Sequence, residues 1–346
     1  MKFSILIPLY NVERYIKECL DSCINQTFPD FEIIIINDGS TDESLAICSE
    51  YIDSRIRIYN KKNAGLLMAR RDAIKFATGE YLIFLDSDDK LRLDCLEYIN
   101  DILENSSGNY DLILYNLYKW DMVSGETLPR EPVFKDGTVF SETNKKILLE
   151  RFLLTDSLNN IVLKAVKREV AQLDDTPYGE MGDSSYGEDR LQSFYVLSQS
   201  KRIYYSAEPL YYYRNNPNSI TRANVSPEKI ARLLSMNVEY LAYKYANLWG
   251  LDTPENIDRL RVNRLLFLRY LFMKCFDLCS SRKQRLDCLR YDWFKLVHEK
   301  NVHHLSSKRL TLRQKIELRA ILKKKYFVIN TVRIAKKAKK FFGRHS

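Results

Sequence analysis

Four short apolar runs, each closing on polar or acidic residues and each followed by a helical pattern, constrain the fold of this chain more than any other feature. The runs are FSILIPLY (residues 3–10), FEIIIIN (31–37), RIRIYN (55–60) and YLIFL (81–85). FSILIPLY and YLIFL, short and rich in β-branched and aromatic residues, predict strands buried on both faces, and the other two predict strands as well. Between them, NVERYIKECLDSCINQT, STDESLAICSEYI and LLMARRDAIKFATG carry apolar residues at helical spacing. Strand–helix alternation of this kind predicts parallel βαβ units in a doubly wound sheet. Pro8 is expected to break the first strand, Gly79 to close the third helix as a left-handed cap, and Asp89 to cap a helix over residues 93–103.

The fourth run ends in Asp86, Ser87, Asp88 and Asp89. Carboxylates packed so closely repel, and they are tolerated where a cation lies between them. The carboxyl ends of strands in an open α/β sheet are also where ligands bind.

Beyond residue 105 the pattern changes. YDLILYNLY reads as a strand, the segment to Phe140 as turns and antiparallel pieces, and KKILLERFLL as a helix. Residues 155–183 read as a helix–turn stretch leading into the Gly-rich, acidic PYGEMGDSSYGED. The helix RLQSFYVLSQS and two strands, KRIYYS and PLYYYR, follow, and helices run from Ser226 to about residue 300. A composition shift at residues 223–227 marks the plausible boundary.

At 346 residues, 45% hydrophobic and 29% charged, the chain falls among soluble globular proteins with room for one large or two ordinary domains. The seven cysteines show no metal spacing: Cys19/Cys23 and Cys275/Cys279 are helix-face pairs, expected as reduced thiols. His298, His303, His304 and His345 show none either. The opening apolar run is shorter than a secretory leader, and no run of eighteen apolar residues predicts a membrane span. The net charge of +9 is unevenly spread: residues 308–346 hold fourteen Lys or Arg against Glu317, a net +13, which leaves −4 for the rest.

Four polar clusters fall at strand or helix ends: Tyr10-Asn11, Asp38-Gly39-Ser40, Asp86-Ser87-Asp88 and Glu188-Asp189. With these in order, and with SILIPLYN, IIIINDGSTD, NAGLLMARRDA, ATGEYLIFLDSDD, GEDRLQSF and EPLYYYRNNPNSIT, the chain resembles the inverting family 2 glycosyltransferases of the GT-A fold, of the bacterial capsule, O-antigen and exopolysaccharide type. The resemblance implies an α/β fold with a Rossmann-like, mostly parallel doubly wound sheet and a C-terminal helical extension. It implies a GT-A domain over 1–222, with a nucleotide-sugar half (1–105) and an acceptor half (106–222). A helical region over 223–307 and a basic amphipathic tail over 308–346 complete the expected organisation.

The implied reaction moves a sugar from a nucleoside-diphosphate sugar, expected to be a UDP-sugar, to an acceptor hydroxyl with inversion, aided by Mg²⁺ or Mn²⁺. By the same resemblance, Asp88 holds the metal, and Asp86 contacts the ribose and shares the metal. Pro8, Tyr10 and Asn11 form the loop around the base, and Asp38 accepts a hydrogen bond from it. Arg70 lies near the base and diphosphate and Arg214 near the diphosphate; apart from the resemblance, Arg222 is expected to close over the site. Asp189 is the expected general base, with Glu188 the alternative. The chain departs from the family pattern at Leu67, where a small residue is usual, and at Arg71, where Asn is usual. Val162-Leu163 also replace the usual Trp-Asn before Lys164, so Lys164 is given no catalytic role.

Two other readings compete. A non-catalytic GT-A-like binding module would have no need of Asp38, Asp86, Asp88 and Asp189 together. A nucleotidyltransferase would carry an early Gly-rich phosphate loop, which is absent from this sequence. In the tail, lysines alternate with Phe327, Val328, Ile329, Val332, Ile334, Phe341 and Phe342. That pattern favours an anionic membrane surface over nucleic acid as its partner. A cytoplasmic enzyme, peripheral to the inner face of the cell membrane and acting on a lipid-linked saccharide, is the resulting expectation.

Overall fold

The computed structural model describes residues 1–105, 109–122, 124–178, 187–215, 238–290 and 303–342. The chain divides into two compact units, Met1–Pro217 and Asn218–Ser346. Arg222, His298 and His345, named above, lie outside the described residues.

In the first unit the four apolar runs form β1 (Phe3–Leu9), β2 (Phe31–Asn37), β3 (Ile56–Asn60) and β4 (Tyr81–Phe84), linked by α1 (Ile16–Ile24), α2 (Ser44–Ser49) and α3 (Leu66–Phe76). Every residue of β1, β2 and β4 is buried, as unbroken apolar runs require. The four strands are parallel in the order β3-β2-β1-β4. The chain therefore winds outward from β1 through β2 to β3, then returns to the other side of β1. That reversal opens a crevice at the carboxyl ends of β1 and β4, the place where open α/β sheets bind ligands.

Two expectations about local breaks are corrected. Pro8 does not end β1; it pairs opposite Ile36, inside the strand rather than in a loop. The β1–β4 ladder ends at Leu6–Phe84, so on that side no bond is lost to the missing N–H. Gly79 does not cap α3, which ends at Phe76 with Ala77 extended, and its φ is not positive. It is required by close approach instead: a Cβ there would lie 2.5 Å from the Phe3 carbonyl carbon and 2.7 Å from the Ser4 nitrogen. Beside it, the buried Glu32 carboxylate accepts from Ser4 Oγ (2.6 Å) and the Thr78 N–H (2.6 Å) and pairs with Arg57. These bonds tie β2 to β1 and to the turn before β4, at the sheet end opposite the crevice.

The sheet continues through β5 (Lys90–Leu91), β6 (Leu112–Trp120), β7 (Thr127–Pro129), β8 (Thr138–Phe140), β9 (Lys164–Lys167) and β10 (Ile203–Arg214). The order is β3-β2-β1-β4-β9-β6-β10-β5, with β7 on β6 and β8 on β10. The sheet is thus mixed, because β9 runs antiparallel to both β4 and β6. The sequence reading placed only helix and turn where β9 lies. KRIYYS and PLYYYR, expected as two strands, form the single β10, whose pairing with β6 shifts register around Pro209. The helices α4 (Cys95–Asn105), α5 (Lys145–Leu154), α6 (Arg168–Gln172) and α7 (Glu188–Gln199) complete the unit.

The second unit is helical: α8 (Val238–Leu248), α9 (Pro254–Leu278), α10 (Arg282–Arg290), α11 (Leu312–Leu322) and α12 (Tyr326–Phe342). Thr253 caps α9 ahead of Pro254, and Thr311 with Gln314 forms a capping box on α11. Its core joins Leu265, Leu268, Phe272 and Phe276 of α9 to Leu310, Leu318, Ile321 and Ile329. The segment from residue 308, expected as a separate tail, is therefore part of this core as far as Ile329. A chain cut near Ser307 would expose that apolar surface. Among the described residues no helix is long and apolar enough to cross a membrane.

Candidate active site

The three strand-end clusters meet at the crevice. Asn11, just past β1, has a left-handed backbone (φ 51°), a conformation asparagine tolerates better than most residues. Its Oδ1 accepts from the Thr41 N–H (2.8 Å), and its N–H donates to Ser40 Oγ (3.3 Å). The loops after β1 and β2 are thereby joined, and Tyr10 beside them is exposed. Asp38, just past β2, is buried and accepts from the N–H groups of Ala64 (2.9 Å) and Gly65 (2.8 Å). It fixes the turn into α3, and each oxygen retains a lone pair for a further donor.

From α3, Arg70 reaches into the crevice and is 1% exposed. It donates from Nη2 to Asp86 Oδ1 (2.6 Å) and from Nη1 to Asp189 Oδ1 (2.5 Å). One guanidinium thus bridges the acid at the end of β4 and the acid in the first turn of α7. Its Nε–H has no hydrogen-bond partner among the described residues. Burial alone would favour loss of the Arg70 proton. The carboxylates of Asp86, Asp189 and Glu188 outweigh that, and the proton is held more tightly than usual. Arg71, the departure beside it, turns away to the carbonyls of Thr176 and Asp174 and lies over the Tyr178 ring.

Asp89 is not a helix cap, since α4 begins only at Cys95. It is buried, and it accepts from the Tyr211 hydroxyl (2.7 Å) and the Arg214 N–H (2.7 Å). Burial, then repulsion from Asp88 and Asp86, raises its carboxyl well above the ordinary range. The Tyr211 oxygen also accepts from the Asp86 N–H (3.3 Å), so β10 holds the whole acidic turn in place.

Arg214 ends β10 with its guanidinium buried. Nε donates to the Asp88 carbonyl, Nη2 to Glu18 Oε2 (3.0 Å), and the plane lies over Tyr15 and Trp120. The structure thus places Arg214 behind the Asp88 turn. Glu18, Tyr15 and Trp120, which hold it there, carry no local signal by which the sequence would reveal them.

Across the crevice, Glu188 and Asp189 open α7 behind Gly187, whose φ of 87° suits glycine. Burial and the neighbouring Asp189 push the Glu188 carboxyl up to about 8, against the pull of Arg70. Burial also raises Asp189, and here Arg70 opposes it both as a neighbouring charge and as a hydrogen-bond donor. Lys164, at the start of β9, is buried and donates to the carbonyls of Leu158 (2.8 Å) and Asn160 (2.6 Å). Burial lowers its ammonium to about 7.

The implied metal has a coherent place here. The donor set at the turn is all oxygen, Asp88 is only partly buried, and Arg70 occupies just one oxygen of Asp86. Among the described residues no three ligating side chains converge. This suits a cation held by one or two carboxylates and completed by phosphate oxygens, the usual mode for Mg²⁺.

Comparison with known proteins agrees with this geometry. The sequence model of glycosyl transferase family 2 matches residues 4–168. The chain is 32% identical over 231 residues to glycosyltransferase GlyA of Streptococcus pneumoniae, covering 64% of this chain and 32% of that protein. It is 34% identical over 312 residues to a poly(ribitol-phosphate) beta-glucosyltransferase of Bacillus spizizenii, covering 86% of this chain and 44% of that protein. The chain therefore spans less than half the length of either relative. The crystal structure of Staphylococcus aureus TarS 1-349 in complex with UDP-GlcNAc superposes with a TM-score of 0.64 over 98% of this chain and 92% of that one. Its 22% identity makes that a likeness of fold. Strand order, acidic turn and sequence match converge on one conclusion: over residues 4–168 the chain carries a family 2 glycosyltransferase domain, on a sheet of the GT-A fold.

Proposed function

We propose that the first unit transfers a hexose or N-acetylhexosamine from a UDP-sugar to an acceptor hydroxyl in cell-surface polysaccharide synthesis, by a single inverting displacement. The carrying observation is the Asp86–Arg70–Asp189 bridge, which fixes two carboxylates from opposite walls of the crevice around one buried cation. The solved relative bound to UDP-GlcNAc and the relative named a beta-glucosyltransferase support the donor class. A lipid-linked saccharide is the proposed acceptor.

In this reading Tyr10 and Asn11 border the base, Asp38 accepts from it, and Asp86 faces the ribose. Asp88, with Asp86, would hold Mg²⁺ or Mn²⁺. When bound, that ion neutralises charge on the leaving diphosphate. Asp189 takes the acceptor proton as the new bond to the anomeric carbon forms. Arg70 engages Oδ1 and leaves Oδ2 to accept it. Glu188, its carboxyl raised by burial and by the neighbouring Asp189, is the alternative base.

Asp88→Ala is expected to abolish UDP release from the donor, and EDTA to silence the wild type until Mg²⁺ or Mn²⁺ is restored. Undiminished turnover in EDTA would remove the metal from this reading and leave diphosphate stabilisation to cationic side chains.

A further inference from the structure

The helix α12 has two apolar sides, and the core of the second unit uses one of them. Ile329 is 1% exposed within that core, Tyr326 packs against it, and Arg333 donates to Asp277 Oδ1 (2.9 Å). On the other side Phe327 is 77% exposed, Ile334 56% and Val328 40%. Phe327 and Ile334 stand seven residues apart, two helical turns on one stripe. Lys323 and Lys325, both exposed, lie at its entrance. Helix anchoring and stripe exposure are thus set by different residues of the same element, so the stripe is not explained by folding.

The geometry points to an anionic lipid bilayer as the occupant of this stripe. A single large aromatic, a leucine-sized neighbour and a row of lysines make a narrow band, suited to insertion at a headgroup boundary with ammonium groups spreading outward. Phe327, Val328 and Ile334 are three residues, against the roughly 20–30 a side of a stable protein interface. A second copy would also bring one +13 segment against another, which like-charge repulsion opposes. Negative lipid answers that charge. The inference does not depend on the transfer chemistry, because its readout is sedimentation rather than turnover.

The test uses the full chain with vesicles of phosphatidylcholine alone and of phosphatidylcholine with phosphatidylglycerol. The protein is expected to sediment with the anionic vesicles, to be released by high salt and to leave neutral vesicles unoccupied. Lys323→Gln with Lys325→Gln should lower the partition coefficient by about fivefold per residue. Phe327→Ser with Ile334→Ser should lower it by about tenfold or more. All four side chains are exposed, so an unchanged melting temperature is expected for both variants. Wild-type protein that ignores anionic vesicles overturns the proposal, as does a Phe327→Ser, Ile334→Ser variant that binds them equally well. A concentration-dependent dimer dissolved by that variant would overturn it in favour of a second copy.

Discussion

Asp189→Asn is expected to lower sugar transfer by about 10²–10⁴-fold while leaving calorimetric affinity for UDP within about twofold. The amide keeps the size of the carboxylate and a carbonyl oxygen for the Arg70 Nη1–H, so the Asp86–Arg70 half of the bridge survives. What it loses is the lone pair that takes the acceptor proton. Glu188→Gln serves as the companion measurement. Arg70 holds Asp189 in the crevice, so in this account the Glu188 amide should retain most of the transfer. A reversed pattern, with Glu188→Gln dead and Asp189→Asn active, would move the base by one residue. A large loss of UDP affinity in Asp189→Asn would make that acid structural.

Arg70→Met has the other large expected effect, and it acts on stability and activity together. Removing the guanidinium leaves Asp86 and Asp189 facing one another without a cation. Breaking a buried ion pair costs about 3–5 kcal/mol. Both carboxylates keep roughly a fifth to a quarter of their surface in water, so about 2–3 kcal/mol is expected here after screening. Arg70→Lys should rescue little of it, because one ammonium cannot reproduce a fork that bonds two acids from two nitrogens. Urea unfolding would measure the first effect and donor turnover the second. Full stability in Arg70→Lys would contradict the bridge as the organiser of the site.

The parallel half of the sheet was legible because β1, β2 and β4 are each an unbroken apolar run, buried on both faces. The acids at their ends were legible for the same reason: a polar cluster closing such a run must lie at the sheet's edge. What stayed hidden depends on partners far away in sequence. Asp89 looks like a cap until Tyr211, 122 residues later, donates to it. Arg70 looks like helix-surface charge until Asp189, 119 residues later, meets it. β9 is four residues long with a lysine at each end, too short and too polar to announce a central strand. Gly79 gave the right residue for the wrong cause, since close approach to β1 leaves no mark on local spacing. In the tail the charge pattern was readable. The division of its apolar residues between a core face and an exposed stripe was not, because both faces carry residues of the same kind.

The central claim is a single displacement assisted by a carboxylate base, and the configuration of the first-formed product tests it most directly. Proton NMR during turnover of α-linked UDP-sugars, with water as the minimal acceptor, reports the anomer before it equilibrates. The account predicts that the β-anomer appears first from the accepted donor, and that its formation slows with Asp189→Asn. First release of the α-anomer would contradict the displacement with inversion proposed for Asp189.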